Sequence, residues 1–490
     1  MPIATSTRPT RRGDLIVLLA TIAYLGVVCT FGFTNAEDQG LITENPNLNP
    51  PTPAGLWEHW RRPHLFLYVP VTYTAWWLLA LIGQTSTPDE TGATLNPWLF
   101  HTFNLALHVT TALLVLNLLR RLIGKEGPAV VGALLFALHP IQVEAVAWTT
   151  GTKDVLCGMF SFAALLLYVK SAEKPLPHAG AERSAAPDVS SQRRRRWYAI
   201  ASVILLLALL SKPAAAVIPL MTLILDRMLL ARPWRTVLRS SIPWFAVAIP
   251  FLVIARLVQP AADVTSAPMW ARPLIAADAL AFYLWKIICP FDLTIDYARP
   301  PKFIIESGAI AWTWTLPAAL AIALLLFARR SRVLVAAGLL FVAGLLPVLG
   351  LTTFLYQRYS TVADRFVYLS MFAVALAIAW GLSCCWSRKV AIACGVLLVL
   401  LGARSTVQAL TWRNRMTLYI HAVAISPHSA AAHNNYGNAL LKTGDVDAAD
   451  REFRKALELD PEQSAARYNL DLIRRARGVP ATTTAAPSPP

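Results

Sequence analysis

Four polar stretches carry residue types that can do chemistry. The longest is His139-Pro140-Ile141-Gln142-Val143-Glu144, continuing to Gly151-Thr152-Lys153-Asp154, set between the apolar runs Ala129–Leu138 and Val155–Val169. The others are Glu37-Asp38, Ser211-Lys212-Pro213, and Tyr356-Gln357-Arg358-Tyr359 with Ala363-Asp364-Arg365. Each borders an apolar run, where ionisable groups are costly unless they pair or serve a site. A carboxylate can take the proton of an attacking hydroxyl, and lysine and arginine can hold a phosphate, arginine with two parallel bonds. The plainer reading is a re-entrant connection whose charges satisfy one another.

The elements that must position these groups follow from composition. The chain has 490 residues, 56% hydrophobic and 15% charged, with mean hydropathy +0.50. A soluble chain carries about 25% charged residues, so the composition specifies a polytopic membrane protein. A formal charge of +16 is compatible with nucleic-acid binding. The arginines and lysines instead cluster in short loops beside apolar runs, where they set orientation, and no nucleic-acid partner is expected. The six cysteines, Cys29, Cys157, Cys289, Cys384, Cys385 and Cys394, show no CxxC or metal-ligand spacing and read as small hydrophobes. The basic start and first apolar run, without a clear cleavage site, read as an uncleaved first span.

Charge placement arbitrates the topology. Arg8, Arg11 and Arg12 precede the run Leu15–Phe33 and put the N-terminus in the cytoplasm. About eleven crossings then keep Arg120-Arg121, Arg193–Arg196, Arg329–Arg332 and Arg388-Lys389 inside. The segments Leu65–Gly83 and Leu274–Ile288 are long and apolar, but are best left on the outer surface. The first follows the aromatic and arginine cluster Trp57–Arg62 of an interfacial helix, and the second carries Asp278 and Lys286. Letting the first cross would invert every later loop. With this topology all four polar stretches fall at the outer membrane face.

After about Ser405 the chain changes character. Ala430 to Pro461 reads as one tetratricopeptide unit, with Gly437 and Ala456 where two helices approach closely and Phe453 filling the groove between them. A helix ending near Pro427 precedes it, and Ser464–Arg477 reads as a further or capping helix. The expected division is a transmembrane unit over 1–404, with a first outer loop 34–96 and a cytoplasmic loop 172–196, then repeats over 405–478 and a disordered tail over 479–490.

An outward site cut off from cytosolic nucleotides needs a donor that is already membrane-borne, and a polyprenyl-phosphate sugar meets that need. Lys153, Lys212 and Arg365 would hold its phosphate, and a carboxylate such as Asp38 would act as general base. The chemistry demands no metal and no cofactor beyond the donor.

The ordered motif set resembles the membrane glycosyltransferases of superfamily C. More narrowly, it is similar to the bacterial relatives of the TMTC family of transmembrane, tetratricopeptide-containing O-mannosyltransferases. The stretches that carry the likeness are Phe33–Pro46, Ala133–Pro140 with Glu144–Trp148, Lys153–Leu156, Leu210–Pro213, Leu346–Gly350 and Ala363–Leu369. The resemblance implies an all-α bundle with two juxtamembrane helices in the first outer loop. It also implies inverting, metal-independent transfer of a sugar, mannose, from a polyprenyl phosphate to a hydroxyl such as protein Ser/Thr. The base would come from the acidic pair, Glu37 or Asp38, with Asp38 favoured. The donor would be bound by His139, Glu144, Lys153, Asp154, Lys212, Gln357, Asp364 and Arg365. Two departures are present: the family's Asp-Asp is Glu37-Asp38 here, and its Arg-Lys-Asp is Thr152-Lys153-Asp154, one cation fewer.

The expected setting is a bacterial inner membrane with the repeats outside, where they would contact an acceptor. The rival reading is a non-catalytic scaffold using the repeats to bind partners. A transporter is disfavoured by the lack of an inverted repeat.

Overall fold

A bilayer offers backbone groups no hydrogen-bond partners, so apolar runs of sufficient length fold into helices. The computed structural model describes residues 11–34, 36–88, 93–173, 189–259 and 267–477. Arg8, most of the expected loop 172–196 and the expected tail 479–490 lie outside them. Helices are the main element of the described residues, with two isolated bridges and no strand among them.

The helices of the first half are α1 (Arg11–Leu25), α2 (Pro53–Arg61), α3 (Pro70–Ile82), α4 (Pro97–Ile123), α5 (Glu126–Leu138), α6 (Val143–Ala147), α7 (Thr152–Ala172) and α8 (Val189–Ser211). Then come α9 (Ile218–Ile224), α10 (Trp234–Val258), α11 (Arg272–Ile288), α12 (Thr315–Phe327), α13 (Arg332–Leu345), α14 (Met371–Cys385) and α15 (Arg388–Leu410). Four more close the chain: α16 (Arg415–Ile425), α17 (Ala430–Lys442), α18 (Val446–Leu459) and α19 (Ser464–Ala476).

The apolar runs named in the sequence, Leu15–Phe33, Leu65–Gly83, Ala129–Leu138, Val155–Val169 and Leu274–Ile288, all carry helix. By length and composition 6 of these helices could cross a membrane, or 7 with the bent pair α5 and Pro140–Ala147. The 13 residues of α3 extend about 20 Å, short of the roughly 30 Å of hydrocarbon. In α11, Asp278 is buried against Arg299 at 2.8 Å, which satisfies a charge that would otherwise oppose burial.

Close packing draws the bundle around α4, α5, α7 and α14. A Cβ at Gly158 would lie 2.3 Å from the Tyr368 ring, so only glycine lets α7 come this near. The Tyr368 hydroxyl meets His108 Nδ1 at 2.8 Å. At the other ends of these helices, Arg120 joins Glu126 at 2.6 Å and Asp14 at 2.5 Å.

The helix α15 continues through position 404 to Leu410, and the chain turns at Thr411–Asn414, where Asn414 caps α16. In the hairpin of α17 and α18, a Cβ at Gly437 would lie 2.7 Å from the buried Phe453 ring, the close approach its sequence position implies. These helices lean on the bundle. Ser429 donates to Asp296 at 2.5 Å, His421 Nε2 meets the Leu293 carbonyl at 2.9 Å, and Phe303 stacks on His428.

Candidate functional site

The site begins with a broken helix. Pro140 has no N–H to donate, and the helix ends at Leu138 with a 50° bend before it resumes. His139 Nδ1 accepts the Ile141 N–H at 3.2 Å and its Nε2 meets the Ile287 carbonyl at 3.0 Å, so its ring holds the break. After the bend, the short α6 carries Glu144 to the turn that precedes α14. There the Arg365 backbone N–H donates to Glu144 Oε2 at 3.0 Å and its guanidinium donates to Oε1. Both side chains are buried.

The turn from Trp148 to Thr152 is clamped from α4. Asn104 Nδ2 donates to the Trp148 carbonyl at 2.8 Å, and Thr152 donates to Asn104 Oδ1 at 2.6 Å. His101 lies 3.3 Å from the Thr149 hydroxyl. Thus fixed, the turn fixes Asp38. Its Oδ1 accepts the N–H and hydroxyl of Thr150, and its Oδ2 accepts the N–H and hydroxyl of Thr34.

The two adjacent acids have opposite environments. Asp38 is 0% exposed, whereas the Glu37 side chain is 46% exposed and faces a cavity of about 430 Å³. Asp38 is the base favoured in the sequence, yet its oxygens are enclosed by four donors. Glu37 pairs with Lys153 at 3.0 Å. Partial burial pushes the Glu37 carboxyl up, but Lys153, Arg365 and Lys212 outweigh it and hold the group below its ordinary value.

Arg365 is the junction of the site. Its guanidinium lies over Tyr356, Phe366 and Trp148, at 4.5, 5.0 and 5.1 Å from the ring centres. It borders the large cavity and also a smaller, mainly apolar slot of about 40 Å³. Asp154, Lys212, Gly344, Pro347 and Leu369 line the slot as well, and Lys212 donates to Asp154. Polar groups on one side and an apolar slot on the other, with cations between them, can hold an amphipathic anion by its charged joint.

Of the ten candidate residues, Glu37, Asp154, Lys212 and Arg365 line the two cavities, Lys153 and Glu144 pair with Glu37 and Arg365, and Asp38 lies directly behind them. His139, Gln357 and Asp364 support the walls and line neither cavity. Gln357 Oε1 accepts the Phe354 N–H at 3.2 Å, and Asp364 accepts the Tyr297 hydroxyl at 2.7 Å.

Other lining groups went unrecognised in the sequence. Asp296, Tyr419, Asn434, Asn435, Asn438 and Gln463 complete the large cavity, so the repeat helices form one of its walls. Burial pushes the Asp296 carboxyl up, against the Ser429 hydroxyl and the Ala298 N–H that it accepts. A signal for the clamp was present: His101, Asn104, His108 and Thr111 form a polar stripe on one face of an apolar helix.

Comparison with known proteins extends this description. The tetratricopeptide repeat family matches residues 430–463. Protein O-mannosyl-transferase TMTC1 of Homo sapiens is 26% identical over 439 residues, 78% of this chain and 48% of its own length. Protein O-mannosyl-transferase TMTC3 of Mus musculus is 23% identical over 510 residues, 93% of this chain and 52% of its own. The chain thus spans about half the length of these curated relatives. Among solved structures, an Archaeoglobus fulgidus oligosaccharyltransferase tethered with an acceptor peptide aligns with 83% of this chain and 56% of its own, at 13% identity and a TM-score of 0.44.

Proposed function

We propose that this chain, a relative of the TMTC protein O-mannosyl-transferases, transfers a sugar from a polyprenyl-phosphate donor to a hydroxyl of a protein acceptor. The names of the relatives make mannose the sugar to test first. The observation that carries the reading is Arg365, which borders both the large cavity containing Glu37 and a mainly apolar slot containing Lys212.

In this reading the sugar occupies the cavity, the phosphate lies among Lys153, Lys212 and Arg365, and the prenyl chain leaves along the slot. Glu37 is the base, because it is the member of the acidic pair that lines the cavity. The acceptor oxygen attacks the anomeric carbon as its proton passes to Glu37. The bond from that carbon to the phosphate oxygen breaks, and the electron pair leaves with the polyprenyl phosphate. One displacement inverts the anomeric configuration. The three cations stabilise the departing phosphate, so side chains supply the positive charge and no metal is invoked. Asp38 acts indirectly by fastening the Glu37 segment to Thr150. Glu144 orients Arg365, Asp154 orients Lys212, and His139, Gln357 and Asp364 keep the walls in place.

Eleven crossings, a cytoplasmic N-terminus, and a site and repeats on the outer side of a bacterial inner membrane belong to the same proposal. So does the division into a catalytic bundle over 1–404 and repeats over 405–478. The test supplies purified protein with radiolabelled polyprenyl-phosphate mannose, or its glucose and arabinose analogues, and membrane extract as acceptor. Label is expected in a protease-sensitive product. If no donor binds and none transfers, the scaffold reading replaces this one.

A further inference from the structure

We propose that Trp148 is a positioning residue for the reaction: its one ring holds Lys153 and Arg365 together as a single anion-binding pair for the donor phosphate. This deepens the proposed transfer and rests on it for the identity of the anion.

The two cations come from distant parts of the chain and pair with different carboxylates. Lys153 meets Glu37, ahead of α2, at 3.0 Å, and Arg365 meets Glu144 of α6. Neither ion pair brings the cations to each other, and like charges repel. Trp148 does bring them together. Lys153 Nζ lies over its ring at 5.1 Å from the centre, and the guanidinium carbon of Arg365 lies over the same ring at 5.1 Å. The face of an indole is negative and attracts cations, so one ring keeps two like charges within about 10 Å of each other. A carboxylate occupies the N–H groups of a cation, whereas a ring attracts its charge. Both cations therefore keep donors for an incoming phosphate.

The ring itself is fixed. Trp148 lies one helical turn after Glu144, and its backbone N–H donates to the Glu144 carbonyl at 3.2 Å. Its carbonyl accepts from Asn104 Nδ2 at 2.8 Å and from the Gly151 N–H at 3.0 Å. Trp412, in the turn before α16, packs against the ring at 6.1 Å between centres and a tilt of 31°. Trp148 is 1% exposed, yet it lines the large cavity together with Glu37 and Arg365. Its indole N–H is buried and has no hydrogen-bond partner among the described residues. The side chain thus contributes the face of its ring rather than a hydrogen bond.

The test uses the full-length protein with mono- to tetrafluorinated tryptophans placed at position 148 alone. Each fluorine drains charge from the ring face while nearly keeping the shape of indole. Binding of radiolabelled polyprenyl phosphate is read directly, and KM and kcat are read for transfer from polyprenyl-phosphate mannose. The dissociation constant and the KM are expected to rise with each fluorine, by about tenfold over the series, with kcat little changed. Trp148→Phe, which keeps a ring, should bind within about threefold of the parent, and Trp148→Leu should lose at least about tenfold. Fluorination should cost less in Lys153→Met, which leaves the ring one cation to hold. If Trp148→Leu does not fold, the fluorinated series carries the test, because its members keep the size of the native side chain. Constants indifferent to fluorine, or a fall in kcat at constant KM, overturn the positioning role. Fluorine-graded binding of polyprenyl phosphate with no transfer from any donor sinks the enzyme and leaves a phosphate site built on Trp148. Transfer with fluorine-insensitive binding sinks the positioning role alone, and no binding of polyprenyl phosphate by the parent overturns both.

Discussion

Glu144 and Arg365, 221 positions apart, share two hydrogen bonds, one from the guanidinium and one from the Arg365 backbone N–H at 3.0 Å. The pair locks the turn before α14 onto the broken helix and leaves the guanidinium lying over three aromatic rings. Both members are almost fully buried, at 2% and 5% exposure.

Removing one member leaves the other charge buried without its partner, a change that costs about 3–5 kcal/mol. Glu144→Ala and Arg365→Ala should each lower the melting temperature in detergent. The double variant should lose less than the sum of the two, because it strands no charge. Single variants that melt like the parent contradict the pairing.

Glu37 and Asp38 should separate in kind. Glu37→Gln should fold and melt normally but lose roughly 10²- to 10⁴-fold in kcat, the usual contribution of a general base. Asp38→Asn replaces an oxygen that accepts from Thr34 or Thr150 with a donor, so its melting temperature should fall. The reverse pattern, a stable inactive Asp38→Asn and an active Glu37→Gln, returns the role of base to Asp38.

The cations around Glu37 make a pH prediction. The base works ionised, and its carboxyl is held below the ordinary value although burial opposes this. The acid limb of kcat/KM should therefore lie below the ordinary carboxylate range. Lys153→Met removes a lowering charge and its hydrogen bond, so the limb should move to higher pH. The ion pair's stabilisation is present above the ordinary carboxylate pKa and is lost as pH falls through the lowered one. A limb unmoved by Lys153→Met argues against this ion pair.

A second pH effect belongs to the first loop. Burial, then His64, lowers the His59 imidazole to about 4, and its ring stacks on Tyr73 at 4.1 Å. The folded state thus binds fewer protons than the unfolded chain between about pH 4 and the unperturbed histidine value near 6.5. Stability should be full above that upper value, fall as pH drops through the window, and level off below it. Thermal melts across this range check it, and His59→Gln should flatten the profile.

The sequence exposed much of this architecture, for identifiable reasons. Hydropathy marks every apolar run that became a helix, and Pro140 announces the break that carries Glu144 inward. Two short helices, α2 and α3, form within the expected first outer loop. Hydropathy records where apolar residues stop rather than where a helix stops, so α15 runs beyond the expected boundary at position 404 to Leu410. The contrast between Glu37 and Asp38 was hidden, since it depends on Thr150, more than a hundred positions away. Asn434 and Asn438 read as ordinary positions of a repeat helix; the docking of Ser429 on Asp296 is what turns them toward the cavity.

The most direct test of the central claim is the anomeric configuration of the product formed from polyprenyl-phosphate β-mannose, followed by NMR with the parent protein and with Glu37→Gln. Inversion by one displacement predicts an α-mannoside from the parent protein and essentially none from Glu37→Gln. A β-linked product, or α-product at the parental rate from Glu37→Gln, contradicts the mechanism.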